Sequence, residues 1–193
     1  MKAFVISAFL IGITDGLYAQ GQIQLSNFDN NSTDIYATAN GLFWLSTGGM
    51  PSLISQDFNA AFYGGTDSSS LTLIATFLLS NGTAYGDNVA PGKFVEPTSN
   101  AHTFLNTSLS DPSAYFQVQA WTGNFNQYAA AVAGGAPAAQ SPIFKNPLGL
   151  PPGVPAELIN MPAMILSGTP EPSTLALAAL GGVCPLVLRR RRK

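Results

Sequence analysis

The sequence predicts a mainly all-β protein, with a single β-sandwich or jelly-roll-like domain and one short helix. Short segments of alternating apolar and polar residues recur between turn signals. An apolar run lies near each end of the chain, and only 9% of the 193 residues are charged. We divide the chain into a signal peptide at 1–19, a β-rich body at 20–136, a proline-rich wrap and linker at 137–168, and a C-terminal segment at 169–193 with a transmembrane helix at 174–188.

The first 19 residues are typical of a secretory signal peptide. Lys2 precedes an apolar run at residues 3–13, and the small residue Ala19 follows a few positions later. The run is short, whereas a membrane-spanning helix needs about 20 apolar residues. We therefore predict cleavage between Ala19 and Gln20 and export of the body. The alternative is a buried N-terminal strand or helix.

Two segments of the body alternate most clearly, as half-buried strands do. In residues 71–79, one face carries Leu71, Leu73, Ala75, Phe77 and Leu79. In residues 115–121, Phe116, Val118 and Ala120 face inwards, while Tyr115, Gln117, Gln119 and Trp121 face outwards. Weaker strand candidates lie at 22–25, 35–39, 42–45, 58–63, 93–95 and 102–105. Asn40-Gly41 and Asn81-Gly82 indicate hairpin turns, because both residue types tolerate positive φ.

One helix is predicted at residues 125–133. Asn124 can cap its first turn, and Gly134-Gly135 ends it. Beyond the helix the composition changes, since nine of the 14 prolines lie between residues 137 and 172. This change predicts an extended chain that wraps over the domain. It would add edge strands at 143–144 and 161–166, because proline is tolerated at sheet edges.

The C-terminal tail has three parts in order. A stiff triplet, Pro170-Glu171-Pro172, precedes an apolar run that ends at residue 188. The chain then closes on five cations: Arg189, Arg190, Arg191, Arg192 and Lys193. Each proline fixes its own φ and pushes the preceding residue into extended conformations. The cations would stop transfer and remain in the cytoplasm by the positive-inside rule.

Over residues 170–193 this tail resembles the PEP-CTERM sorting signal of Gram-negative bacteria, which is also called the ice-binding protein C-terminal domain. The resemblance implies that an exosortase, a membrane-embedded cysteine protease or transpeptidase, recognises the tail and cuts near the triplet. It further implies a transient stay in the inner membrane, followed by transfer to the cell surface or an exopolysaccharide matrix. The alternative is a plain C-terminal membrane anchor that is never cut.

Composition argues against several functions of the body. Residues 20–169 contain no Arg, two Lys and eight Asp or Glu. This balance disfavours nucleic-acid partners, which require cations to neutralise phosphates. His102 is the only histidine, so a Ser-His-Asp triad has one possible base, and we expect a structural role for it. Asp29, Asn31 and Asp34 are weak calcium candidates, because turn chemistry explains such clusters without a metal. We expect no cofactor and no enzymatic activity.

Aromatic and amide side chains provide the main indication of a ligand. Tyr115, Gln117, Gln119 and Trp121 share one face of a predicted strand, where rings can stack on sugars and amides can hydrogen-bond hydroxyls. The alternative is that the helix or the proline-rich chain covers Trp121. Three hypotheses follow: a non-enzymatic surface or matrix protein, a carbohydrate-binding module in the same location, and, least favoured, a secreted hydrolase that uses two carboxylates.

Overall fold

The computed structural model describes residues 18–27, 41–79, 91–96 and 100–168. Within these ranges the chain forms ten strands and one helix. The strands are β1 (Tyr18–Gln24), β2 (Phe43–Ser46), β3 (Ser52–Leu53), β4 (Phe58–Gly65), β5 (Thr72–Leu79), β6 (Ala101–Ser108), β7 (Ser113–Trp121), β8 (Ala138–Gln140), β9 (Phe144–Pro147) and β10 (Met164–Ser167). The helix α1 (Tyr128–Ala133) lies between β7 and β8. The predicted mainly-β class with one short helix is confirmed.

Two sheets of unequal size organise the described chain. The larger has eight strands in the order β3-β2-β10-β8-β7-β4-β5, with β9 paired to the other end of β7. The smaller consists of β1 and β6, paired antiparallel. In the large sheet β2 and β10 run parallel, and the other named pairs are antiparallel. The core therefore combines strands from distant parts of the sequence.

An aromatic-rich core lies on the inner face of the large sheet. The Phe104 ring of β6 meets the Phe116 ring of β7 at 5.4 Å between centroids, which joins the two sheets. In the same core, the ring centroids of Phe62 and Phe94 lie 5.0 Å apart. Burial of a side chain of this kind contributes about 1.5–3 kcal/mol relative to exposure. The predicted inward residues of β7 are all buried, namely Phe116, Val118 and Ala120.

Strand β5 keeps only part of its predicted alternation. The register pairs Phe62 with Ala75 but Tyr63 with Leu73, so a bulge interrupts the ladder. A bulge adds one residue and reverses which face the side chains beyond it occupy. Leu73 is consequently 56% exposed, and Ile74 packs against the core instead. The prediction that Leu73 shares a face with Ala75, Phe77 and Leu79 was therefore wrong.

The proline-rich segment contributes more than edge strands. We predicted an edge strand at 161–166, but β10 lies inside the large sheet, between β2 and β8. Its register pairs Met164 with Phe43 and Leu166 with Leu45. No proline occurs from residue 164 to 167, so every N–H is available for pairing. Met164 and Leu166 are buried, and this burial holds the strand in the interior of the sheet.

Helix α1 starts later than predicted. Its N-cap is Gln127, which has extended backbone angles and makes no side-chain capping hydrogen bond. The carbonyl of Phe125 instead accepts a hydrogen bond from the Trp121 indole, which holds the preceding chain outside the helix. The predicted end is confirmed, because the C-cap Gly134 donates its N–H to the Ala130 carbonyl.

Several predicted elements lie partly or wholly outside the described residues. Residues 35–39, Asn40 and the Asn81-Gly82 turn are among them, whereas Gly41 has the expected positive φ of 64°. Residues 93–95 form only an isolated bridge between Ser26 and Val95. At the N-terminus, Ala19 pairs with Thr107, so the predicted cleavage bond lies within β1. Most of the predicted signal peptide, residues 1–17, lies outside the described chain.

Candidate ligand-binding groove

The outer face of the large sheet positions the predicted ligand-binding residues. Antiparallel pairing of β4 with β7 places Tyr63 opposite Gln117 and Ala61 opposite Gln119. Pairing of β4 with β5 continues the second row to Thr76. Residues directly opposite each other on antiparallel strands lie on the same face. The alternation of β7 therefore extends into a patch of tyrosine, amide and hydroxyl side chains across three strands.

Trp121 is covered rather than open. Its side chain is 1% exposed and packs with Ala61 and Ala131 in a small cluster beneath α1. The indole Nε1 donates to the Phe125 carbonyl at 2.8 Å. Its ring meets Tyr128 edge to face, with centroids 6.5 Å apart. In this position the indole anchors α1 to the sheet, which agrees with the alternative that the helix covers it.

A groove of about 440 Å³ lies where α1 meets the outer face of the sheet. It is lined by Ala61, Tyr63, Leu73, Thr76, Gln119, Trp121, Asn126, Gln127, Tyr128 and Ala129. None of these lining residues carries a charge. Aromatic rings, amides and a hydroxyl together can contact a ligand through apolar faces and through hydrogen bonds. We call this feature the α1 groove.

The α1 groove includes two of the four predicted ligand residues. Gln119 and Trp121 line it, and Gln119 donates its Nε2 to Gln140 Oε1 at 3.1 Å. Gln117 is instead engaged with the Ser141 carbonyl at 3.3 Å. Tyr115 lies opposite Lys145 of β9, towards the other end of β7. The four predicted residues therefore do not form one site: Gln119 and Trp121 line the groove, whereas Gln117 and Tyr115 lie outside it.

Five polar or aromatic groove residues were not predicted as ligand residues from the sequence: Tyr63, Thr76, Asn126, Gln127 and Tyr128. The strand prediction at 58–63 included Tyr63 but gave no means of placing it beside Gln119. The predicted helix included residues 126–128 in its first turns, whereas the structure starts α1 at Tyr128. Their common location depends on the β4–β7 register and on the packing of α1, both of which are long-range features.

The catalytic and metal candidates form no comparable site in the described chain. His102 Nε2 lies 2.7 Å from Glu96 Oε2, and this contact joins β6 to the segment that follows Phe94. In residues 18–27, 41–79, 91–96 and 100–168, no group of three or more His, Cys, Asp or Glu is placed to hold a metal. The calcium candidates Asp29, Asn31 and Asp34 lie outside those ranges.

The described residues define a β-rich protein with an uncharged surface groove. The C-terminal tail gives a more specific indication of function, because residues 168–192 match the family model of the PEP-CTERM protein-sorting motif. The identification of the tail from its triplet, apolar run and terminal cations is therefore confirmed. Searches among curated proteins and among solved structures found no match to the chain.

The sorting motif implies an exported, membrane-anchored precursor that an exosortase processes. The motif residues Pro170, Glu171 and Pro172 and the terminal cations lie outside the described residues, as does the predicted span at 174–188. Of the helices within the described ranges, none is both long enough and apolar enough to cross a bilayer.

Proposed function

We propose that this chain is a non-enzymatic protein of the cell surface or exopolysaccharide matrix, exported by its signal peptide and cleaved by an exosortase. The observation that carries the proposal is the PEP-CTERM motif at residues 168–192. In the precursor, the body lies outside the cytoplasm and the apolar run occupies the inner membrane. We expect the exosortase to meet an extended chain at Pro170-Glu171-Pro172, because each proline fixes its own φ and disfavours the helical conformation of the residue before it.

The terminal cations orient the precursor. Five adjacent Lys and Arg residues favour the cytoplasmic side of a membrane, so the triplet is presented on the opposite side. Once the chain is cut near the triplet, the body loses its apolar run and can leave the membrane. Cleavage therefore couples sorting to release or transfer of the body.

Mass spectrometry of the mature C-terminus tests this proposal. The chain is produced in a host with and without its exosortase, and the surface fraction is purified. We expect the surface protein to end near Pro170 and to lack Arg189 to Lys193, and we expect the uncut precursor to remain in the membrane of the strain without the enzyme. Replacing both triplet prolines with alanine should reduce cleavage, whereas the exposed Pro91→Ala variant should be processed normally. Surface protein that retains its arginines would contradict the proposal.

The non-enzymatic part of the proposal has its own test. The mature protein is incubated with exopolysaccharide from its matrix, and new reducing ends are measured over time. We expect none above the level of a heat-inactivated sample. Sustained release would favour the secreted hydrolase instead.

A second candidate is a carbohydrate-binding module in the same location. The α1 groove favours it, because its amide, hydroxyl and tyrosine side chains are the groups that bind sugars. Trp121 would position α1 beside such a site rather than contact the sugar, because its indole is buried. A pull-down of the mature protein with its native exopolysaccharide tests this candidate. The expected result is retention, and a protein that stays in solution would remove the candidate.

A further inference from the structure

We propose that the α1 groove binds a neutral polysaccharide chain, with Tyr63 and Tyr128 as the aromatic contacts. This inference rests on the second candidate function and assigns it a site and a ligand charge. The two tyrosines line the groove from different elements, Tyr63 from β4 and Tyr128 from α1. Both are half-buried, so part of each ring remains accessible. Sugar rings present apolar C–H faces that aromatic rings contact well.

The polar lining favours a ligand rich in hydroxyls. Gln119, Asn126 and Gln127 supply amides that both donate and accept, and Thr76 supplies a hydroxyl. The Nε2 of Gln119 donates to Gln140, which orients the Gln119 amide and leaves the Gln119 Oε1 able to accept a hydrogen bond from a sugar hydroxyl. Groups that both donate and accept hydrogen bonds match the hydroxyls of a sugar, which also donate and accept.

The charge of the groove distinguishes neutral from anionic chains. The lining includes no Lys or Arg that would pair with a uronate or sulfate group. Lys145 lies further along the sheet, opposite Tyr115, and its Nζ already contacts Asp111 Oδ2 at 2.6 Å. An anionic polymer would lose hydration in the groove without gaining an ion pair there. A neutral polysaccharide would lose less hydration free energy, because it has no charged group to desolvate.

The contacts of α1 fix the helical side of the groove before a ligand arrives. Ala131 of α1 is fully buried, and the Trp121 ring holds Tyr128 edge to face. The indole hydrogen bond to Phe125 ties down the chain that leads into the helix. Side chains that are already ordered lose less entropy on binding. Trp121 is therefore a positioning residue, and the tyrosines make the contacts.

Affinity electrophoresis of the full-length chain in detergent micelles tests the inference. The probes are three soluble neutral polysaccharides (dextran, laminarin and galactomannan), with alginate as the anionic polymer. We expect retardation by at least one neutral probe and none by alginate. Tyr63→Ala and Tyr128→Ala should each weaken association by about ten-fold or more, as expected for loss of an aromatic contact at a binding site.

Tyr115→Ala is the matched control, because Tyr115 lies on the same outer face of β7, is half-buried, and does not line the groove. It should bind within about two-fold of wild type. Tyr63→Phe keeps the aromatic ring and should retain binding. Binding by this variant would show that the ring itself makes the contact. Circular dichroism confirms that each variant is folded.

Three results would overturn the inference. Preferential retardation by alginate would contradict the neutral ligand. Unchanged binding by both groove variants, while native exopolysaccharide is still retained, would remove the site and leave the second candidate function standing. If the wild type binds none of the probes and no native exopolysaccharide, both fail together. The sorting proposal is unaffected by any of these results, since the mature C-terminus tests it separately.

Discussion

Replacing Trp121 with alanine tests the central structural assignment, which is that this residue anchors α1. The indole is 1% exposed and packs between Ala61 of β4 and Ala131 of α1. Its Nε1 also satisfies the Phe125 carbonyl at 2.8 Å. The substitution removes the packing and the hydrogen bond together. It should destabilise the fold even in the absence of ligand.

The expected magnitude follows from these two losses. Truncating a buried Trp to Ala costs about 3–5 kcal/mol through lost transfer energy and the cavity left behind. Loss of the hydrogen bond adds about 1 kcal/mol. The free energy of unfolding should therefore fall by about 4–6 kcal/mol, a large share of the 5–15 kcal/mol typical of whole domains. Trp121→Phe keeps a ring in the cluster and should cost about 1–3 kcal/mol.

Urea denaturation followed by far-ultraviolet circular dichroism measures this effect, with wild type and variants at the same protein concentration. Leu78→Ala is the control, because Leu78 is 53% exposed and its truncation should change stability by less than about 0.5 kcal/mol. If the Trp121→Ala variant unfolds within about 1 kcal/mol of wild type, the indole is not an anchor. The account of α1 as a fixed wall of the groove would then be wrong.

Two further predictions concern the body. Asn27 is fully buried; it donates to the Gly41 carbonyl and accepts from the Phe94 N–H at 2.6 Å. Asn27→Leu leaves both groups without that partner and should lower the free energy of unfolding by about 2–6 kcal/mol in the same urea assay; an unchanged midpoint would contradict this. Asp67 accepts hydrogen bonds from the Ser69 N–H, which has the larger effect, and from the Ser69 hydroxyl. Both lower the Asp67 pKa below its ordinary value of 3.8. These bonds stabilise the folded state above that ordinary pKa and are lost as the pH falls through the lower folded value. Ser69→Ala should raise the pKa part of the way back in an NMR titration, and an unmoved pKa would show that the hydroxyl contributes nothing.

Sequence patterns predicted the structure correctly where the feature depends only on neighbouring residues. Alternation with a period of two predicted the buried side of β7, and Gly134 predicted the end of α1. The sorting tail is also a local feature, because a stiff triplet, an apolar run and a cation cluster act in order along the chain. None of these depends on which distant segment lies beside them.

Local patterns failed where pairing between distant segments decided the outcome. The bulge in β5 sends Leu73 to the outer face, and no feature of the 71–79 pattern marks its position. β10 lies within the sheet because it pairs with β2, which lies more than a hundred positions earlier in the chain. The start of α1 shifts for a nearer reason, because the indole of Trp121, only four residues before Phe125, donates its N–H to the Phe125 carbonyl.

The sequence by itself determined the β-rich class, the outward face of β7 and the sorting tail, because strand periodicity and the order of tail segments are properties of neighbouring residues. Only the tertiary structure decided that Trp121 is buried and that Tyr63 and Tyr128 line one groove. Those placements require β4, β7 and α1 to meet. Such meetings are set by the packing of the whole core, which no short segment encodes.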